Sequence, residues 1–398
     1  MPPGLKLAII GDPHIAVPYG NNDTRIEVDP GRKLHGLSVE LLRETIRQVN
    51  AEPEVDAALI LGDMTRDSEE FNHEVALELV SQLTMPYYIV IGNHDKHSRR
   101  KPGVEYPGVH RLDRYEFCQY YRDRGLPDGM ARYVAELPGD VVLVVLDSNR
   151  TLQELASTDE ALARQDDGQI GVVQLRWLDD VLGQIRSGGG IPLVAVHHSI
   201  CDQSPAERKG HPLHFVFGFW QADDSAAARA VLAKHRVPLV LSGHLHAQSI
   251  GIQDGVVNLI TAASVSYPHA WRTVEFRGGR IEIMSHCVES VPSCPNLQER
   301  SRVWLAEGMG QLIETKAAKI PGMKNFKRDL NRLVTRSGWW PKFCDGTQAG
   351  FRIDKAAIPR GNAISGAVFR RVERLLNEFG EWKSGLPDPN NLTLPVDP

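Results

Sequence analysis

Seven short apolar runs recur along this chain: Leu5–Ile10, Ala57–Leu61, Tyr87–Ile91, Val141–Leu146, Pro192–Val196, Pro238–Leu241 and Val256–Ile260. Most are continuous rather than alternating. That pattern belongs to strands covered on both faces, as in a largely parallel sheet sheathed by helices. Helical spacing lies between many of them: Leu37, Leu41, Leu42, Thr45, Ile46 and Val49; Val75, Leu79, Val80 and Leu83; Leu175, Leu178, Val181, Leu182 and Ile185. Asp223, Asp224 and Ser225 predict a cap for an alanine-rich helix from Ala226 to His235. Alternating strands and helices predict an α/β fold. Thr273–Phe276 and Ile281–Ser285, around Arg277-Gly278-Gly279-Arg280, predict a closing hairpin.

Where runs end, metal-binding side chains begin. The five segments are Asp12-Pro13-His14, Gly62-Asp63, Gly92-Asn93-His94-Asp95, His197-His198 and Gly243-His244-Leu245-His246. The carboxyl edge of an open α/β sheet is where ligands bind, because its loops gather side chains from distant parts of the chain. A dinuclear hydrolase needs hard or borderline ligands, one carboxylate shared between the ions, and open positions for water and phosphate. The segments offer Asp12, His14, Asp63, Asn93, His197, His244 and His246 for this, with no cysteine among them. A structural cysteine-rich zinc site is thereby disfavoured.

These segments, in this order over roughly Leu5 to Met284, resemble the calcineurin-like metallophosphoesterase superfamily. In style they resemble its bacterial phosphodiesterase branch, which includes the class III cyclic-nucleotide phosphodiesterases. The resemblance implies a four-layer αββα sandwich of two mixed sheets flanked by helices. It implies two metal ions, Mn, Fe or Zn. Asp12, His14, Asp63 and His246 would hold one ion, and Asp63, Asn93, His197 and His244 the other, with Asp63 bridging. His94 would face the phosphate, and His198 would stand behind a ligand. The implied reaction is in-line attack on a small phosphate ester, most simply a diester, by a hydroxide bridging the ions. His94 would stabilise the developing charge or protonate the leaving oxygen.

The sequence departs from relatives at informative places. Asp95, rather than Glu, follows Asn93-His94, and Gly62-Asp63 continues as Met64-Thr65-Arg66-Asp67 without the phosphoprotein-phosphatase extension. Protein phosphatase activity is disfavoured. Many phosphodiesterases carry an Asp three positions after the bridging Asp to orient the catalytic His. Arg66 stands there, and Asp67 is the available substitute. Aromatic residues in the segment from His211 to Trp220, with His214 among them, are candidate substrate contacts. A nuclease, a phosphomonoesterase and a metal-bound scaffold without catalysis are the competing readings.

Composition bounds the rest. A net charge of -5 makes no global case for nucleic-acid binding, and no apolar run approaches membrane-span length. The N-terminus offers no secretory signal pattern, so a cytoplasmic location is expected. Five cysteines, an odd count, argue against a disulfide framework. After residue 289 the strand pattern gives way to helical spacing, including Ile364, Val368, Val372, Leu375, Leu376 and Phe379. This part carries about +6 against about -11 before it. Residues 1–289 are therefore read as the catalytic domain and 290–385 as a helical extension or cap, with a possible homo-oligomer interface. Residues 386–398 are read as a loose tail.

Overall fold

The computed structural model describes residues 4–20, 33–96, 108–150, 167–208, 211, 221–317, 338–347 and 381–396, with scattered positions between 328 and 378. His214, the segment 212–220 and the apolar stripe from Ile364 to Phe379 lie outside the described residues.

Two six-stranded sheets form the centre. In the first, β1 (Leu5–Ile10), β2 (Ala57–Ile60) and β3 (Tyr87–Ile89) run parallel. The second contains β4 (Tyr133–Glu136), β5 (Val141–Leu146), β6 (Ile191–Val196), β7 (Val240–Ser242), β8 (Ser249–Gln253) and β9 (Val256–Ile260). The hairpin of β10 (Ala270–Arg277) and β11 (Arg280–Cys287) returns to the first sheet, and β12 (Asn391–Pro395) completes it. The sheet orders are β12-β11-β10-β1-β2-β3 and β4-β5-β6-β7-β9-β8. Strands β5, β6, β7 and β9 are mutually parallel, whereas β4 and β8 pair antiparallel at the two edges.

The unbroken apolar runs have the cause the sequence suggested. Along β5, Leu143 and Val145 enter the core between the sheets, while Val144 and Leu146 pack under the outer helices. Those helices are α4 (Val172–Ser187) and α5 (Ser225–Lys234); α1 (Ser38–Ala51) and α2 (Glu70–Val80) cover the first sheet. A short α3 (Arg114–Tyr120) opens with a capping box, Asp113 with Glu116. The result is the expected αββα sandwich. The Asp224 expectation needs correcting. Asp224 sits at the start of α5, but its carboxylate makes no cap. It accepts instead from Ile170 N (2.9 Å) and Gly171 N (2.7 Å), tying α5 to the entry of α4.

The C-terminal part is packed wherever it is described. Val288, Val291, Cys294 and Leu297 fill a cluster with Leu41, Ala263 and Val265. Helix α6 (Leu297–Ala317) and the short α7 (Trp339–Cys344) bury Leu305, Met309, Trp339, Trp340 and Phe343 against Leu245, Ala247 and Ile260. The reading of 386–398 as a loose tail is overturned for residues 391–395. They form β12, in register with β11 (Leu392 opposite Ile283), with Leu392 buried. Backbone pairing with an open sheet edge outweighs the local Pro/Asn composition. All five cysteines are free thiols, as expected. Among the described residues no helix is long and apolar enough to cross a membrane.

Candidate metal centre

The five segments converge at the carboxyl ends of β1, β2, β3, β6 and β7, where both sheets open in the same direction. Tight turns after these strands aim the side chains inward. Asp12 (φ 27°), His14 (42°), Asp63 (50°), His244 (65°) and His246 (57°) all lie in the left-handed region, which non-glycine residues rarely adopt. Strain concentrated on five neighbouring functional side chains is the mark of a site fixed by its surroundings. The motif glycines are steric requirements of the same turns. A Cβ at Gly92 would lie 2.2 Å from Asp63 Oδ1, and one at Gly243 would lie 2.4 Å from Asp12 Oδ1.

Two donor groups share one carboxylate: His14, Asp63 and His246, and Asp63, His197 and His244. Asp63 Oδ2 lies 3.3 Å from His14 Nε2 and 3.4 Å from His197 Nε2. Asn93 Oδ1 lies 3.1 Å from His197 Nε2 and 3.0 Å from His244 Nδ1. Asp12 Oδ2 lies 3.6 Å from His246 Nε2 and accepts from the His244 backbone N–H at 2.8 Å.

The tautomers of two of these ligands can be read from their backbone partners. His14 Nδ1 faces the Thr65 carbonyl (3.3 Å) and His197 Nδ1 faces the Leu61 carbonyl (2.7 Å), so each imidazole donates there and presents a lone pair at Nε2. His14 Nε2 then meets His246 Nε2 at 3.1 Å, and His197 Nε2 meets the acceptor oxygen of Asn93. The His197–Asn93 contact sets acceptor against acceptor, which is unfavourable in a buried site without a cation between them. Asp12 Oδ1 is buried with no hydrogen-bond partner. Donors of mixed N and O type, with backbone carbonyls fixing the tautomers, fit two divalent ions.

Ionisation follows the same logic. Burial, with the nearby Lys33 ammonium, holds His14 well below the usual histidine range and so neutral, as a ligand must be. Burial pushes Asp12 up to about 7. Burial also opposes the charge on Asp63, but His197, His94 and His14 outweigh it and hold that carboxyl well below the usual range. For His197, burial is outweighed by Asp63 and Asp12, which raise it to about 9: the two carboxylates draw positive charge to this ring, a proton standing where a cation bound at Nε2 would otherwise supply it.

The remaining residues take distinct places. His94 lies at the mouth. Its Nδ1 meets the Arg66 carbonyl (2.5 Å) and Asp67 Oδ1 (3.2 Å), and its backbone N–H donates to Asp63 Oδ1 (2.8 Å). Asp67, not Arg66, thus supplies the carboxylate beside the His94 ring. Asp95 is fully buried. It accepts from Met64 N (2.6 Å) and Gly92 N (2.9 Å), locking the second motif to the third, and burial raises its pKa well above the carboxylate range. His198 is buried, with Nδ1 2.7 Å from Ser148 Oγ and its ring tilted against that of His244, centroids 4.4 Å apart. Sequence reasoning missed Lys33, whose Nζ lies 3.4 Å from His14 Nδ1 and 3.5 Å from His94 Nε2. It stands outside every motif, and no local pattern marks it.

The family profile described as calcineurin-like phosphoesterase matches residues 5–248. Among curated proteins none matches this sequence. Among solved structures, a dimetal phosphatase from Danio rerio is similar at 19% identity and a TM-score of 0.50, over 71% of this chain and 96% of that one. A putative 5'-nucleotidase from Staphylococcus aureus aligns at 13% identity and a TM-score of 0.43, over 76% of this chain and 59% of that one. The first of these supports the fold.

Proposed function

Because the chain belongs to the calcineurin-like phosphoesterases, we propose that it hydrolyses small phosphodiesters at a dinuclear Mn, Fe or Zn centre. The observation that carries the reading is the shared carboxylate. One oxygen, Asp63 Oδ2, stands within 3.4 Å of the Nε2 atoms of His14 and His197, which belong to different donor groups. Asp12, His14, Asp63 and His246 would hold one ion; Asp63, Asn93, His197 and His244 would hold the other. When bound, two such ions acidify a water and neutralise phosphate oxygens.

The chain's own residues supply the rest. His94, held through Nδ1 by Arg66 O and Asp67, presents Nε2 outward, where it meets the leaving oxygen. Asp67 compensates the charge when His94 carries a second proton. The buried loop clamp by Asp95 keeps Asp63 and Asn93 in fixed relation. The preference for diesters rests on Asp95 in place of Glu and on the missing phosphoprotein-phosphatase extension. Metal-loaded protein is expected to cleave bis-p-nitrophenyl phosphate and to act poorly on a phosphoserine peptide. A strong preference for the phosphopeptide overturns the diester assignment.

A further inference from the structure

A second cavity opens on the carboxyl edge of the second sheet. Strand β5 lies beside β6 and runs parallel to it, and Asp147 and Asn149 follow it directly. With α3 and the start of α4 they enclose a cavity of about 770 Å³, a volume suited to a small organic molecule. Neither His94 nor any of the proposed metal ligands is among the described residues that line it. Its apolar wall is open to solvent: Tyr115, Met130, Val172 and Val173 are each more than half exposed. Large apolar side chains exposed singly are ordinary, but four around one hollow mark a binding surface.

The polar groups of the cavity are unevenly matched. Arg114 pairs with the buried Asp147. Arg122 and Arg132 also line the cavity and make no ion pair among the described residues; the Arg132 guanidinium lies 5.2 Å from the centre of the Trp177 ring. The lining is therefore left with positive charge. Asn149 is buried, and its amide orientation is fixed, because Nδ2 donates to Ile91 O (3.0 Å) and to Asp147 Oδ1 (2.9 Å). Its Oδ1 accepts from nothing. A buried acceptor left unpaired is costly, and a ligand N–H or O–H would satisfy it.

We propose that this cavity is a second ligand site, which binds a small organic anion carrying an aromatic or branched apolar body and one N–H or O–H donor. The anionic group meets Arg122 and Arg132, whose planar guanidinium forks match the oxygens of a carboxylate, sulfonate or phosphate. The body lies on Tyr115, Met130, Val172 and Val173. The donor reaches Asn149 Oδ1. The site goes beyond the phosphodiesterase reading and does not rest on it, since none of these residues serves the metal centre.

The test is equilibrium fluorescence titration of the full chain with anilinonaphthalene sulfonate, in the isomer whose amine and sulfonate stand at opposite ends of the naphthalene. Two relatives of the dye are the controls: neutral anilinonaphthalene, which lacks the sulfonate, and the N-methylated sulfonate, which lacks the N–H. The expected result is saturable binding of one sulfonate dye per chain, with either control bound about tenfold more weakly. Arg122→Gln is expected to weaken the sulfonate dye about tenfold and to leave the neutral dye unchanged. Val173→Asp is expected to weaken both, and it carries the test if Arg122→Gln does not fold; both positions are exposed. A neutral dye bound as tightly as the sulfonate, an N-methylated dye bound equally well, or affinity unaltered in both variants overturns the site. The last of these is also the result expected of a dye held at the metal centre.

Discussion

Asp67→Ala probes the position next to Arg66, where a carboxylate reaches His94 although the usual Asp three positions after Asp63 is missing. His94 Nδ1 has two acceptors, the Arg66 carbonyl at 2.5 Å and Asp67 Oδ1 at 3.2 Å. A full imidazolium–carboxylate attraction at that separation has an upper bound of about 5 kcal/mol at an effective dielectric near 20. The side chain of His94 is 19% exposed, and the backbone carbonyl survives the substitution, so most of the orientation remains. What disappears is the excess of a charged acceptor over a neutral one, about 1.4–2.8 kcal/mol. That corresponds to a fall in kcat of roughly 10- to 100-fold. Asp67→Asn keeps an acceptor and belongs at the small end. Steady-state kinetics on bis-p-nitrophenyl phosphate read the effect, with elemental analysis showing that both ions are retained. A kcat within twofold of wild type would mean that the carbonyl alone positions His94 and that the Asp67 argument is wrong. Loss of metal would show that Asp67 acts on the ligand shell.

His94→Ala should lower turnover by about 10²–10⁴-fold with metal content unchanged, and loss of one ion would reassign His94 as a ligand. Trp340, stacked on Phe343 with ring centroids 4.9 Å apart and buried against the loop that carries His244 and His246, should cost about 3–5 kcal/mol when changed to Ala. Urea denaturation checks this, and a cost below about 1 kcal/mol would contradict docking of α7. Burial holds His73 neutral, lowering it to about 3, between Tyr121 OH and Thr65 Oγ1. The unfolded chain binds that proton near pH 6.5 and the folded chain does not. Its stabilisation is therefore complete above about pH 6.5 and is lost as pH falls toward about 3. The stability of wild type should fall with acid more steeply than that of His73→Phe, by about 1.4 kcal/mol per pH unit between pH 6 and 4. Parallel curves would refute this.

The parts of the fold that were legible in the sequence are those written locally. Each candidate ligand follows a continuous apolar run, because the parallel strands are covered on both faces and their ends converge. What was not legible depends on contacts between distant residues. Asp67 was available on paper, but only the turn after β2 shows its carboxylate reaching His94. Lys33 carries no motif, and its place is set by the anchoring of Leu34 to Val265. β12 is hidden because only Leu392 and Leu394 alternate inward among Pro, Asn and Asp, and because its pairing depends on the exposed edge of β11. Asp224 reads as a helix cap, yet two backbone amides of a neighbouring loop compete for its carboxylate and win it.

Asp63 would join two metal ions in one reactive centre. The most direct measurement is the metal-to-protein ratio of purified, Mn-reconstituted chain, taken beside Asp63→Ala and with diester hydrolysis recorded on the same samples. Two ions per wild-type chain are expected, with loss of both the paired occupancy and the activity in the variant. Less than one ion per chain in an active wild-type protein would contradict it, as would full activity in the variant.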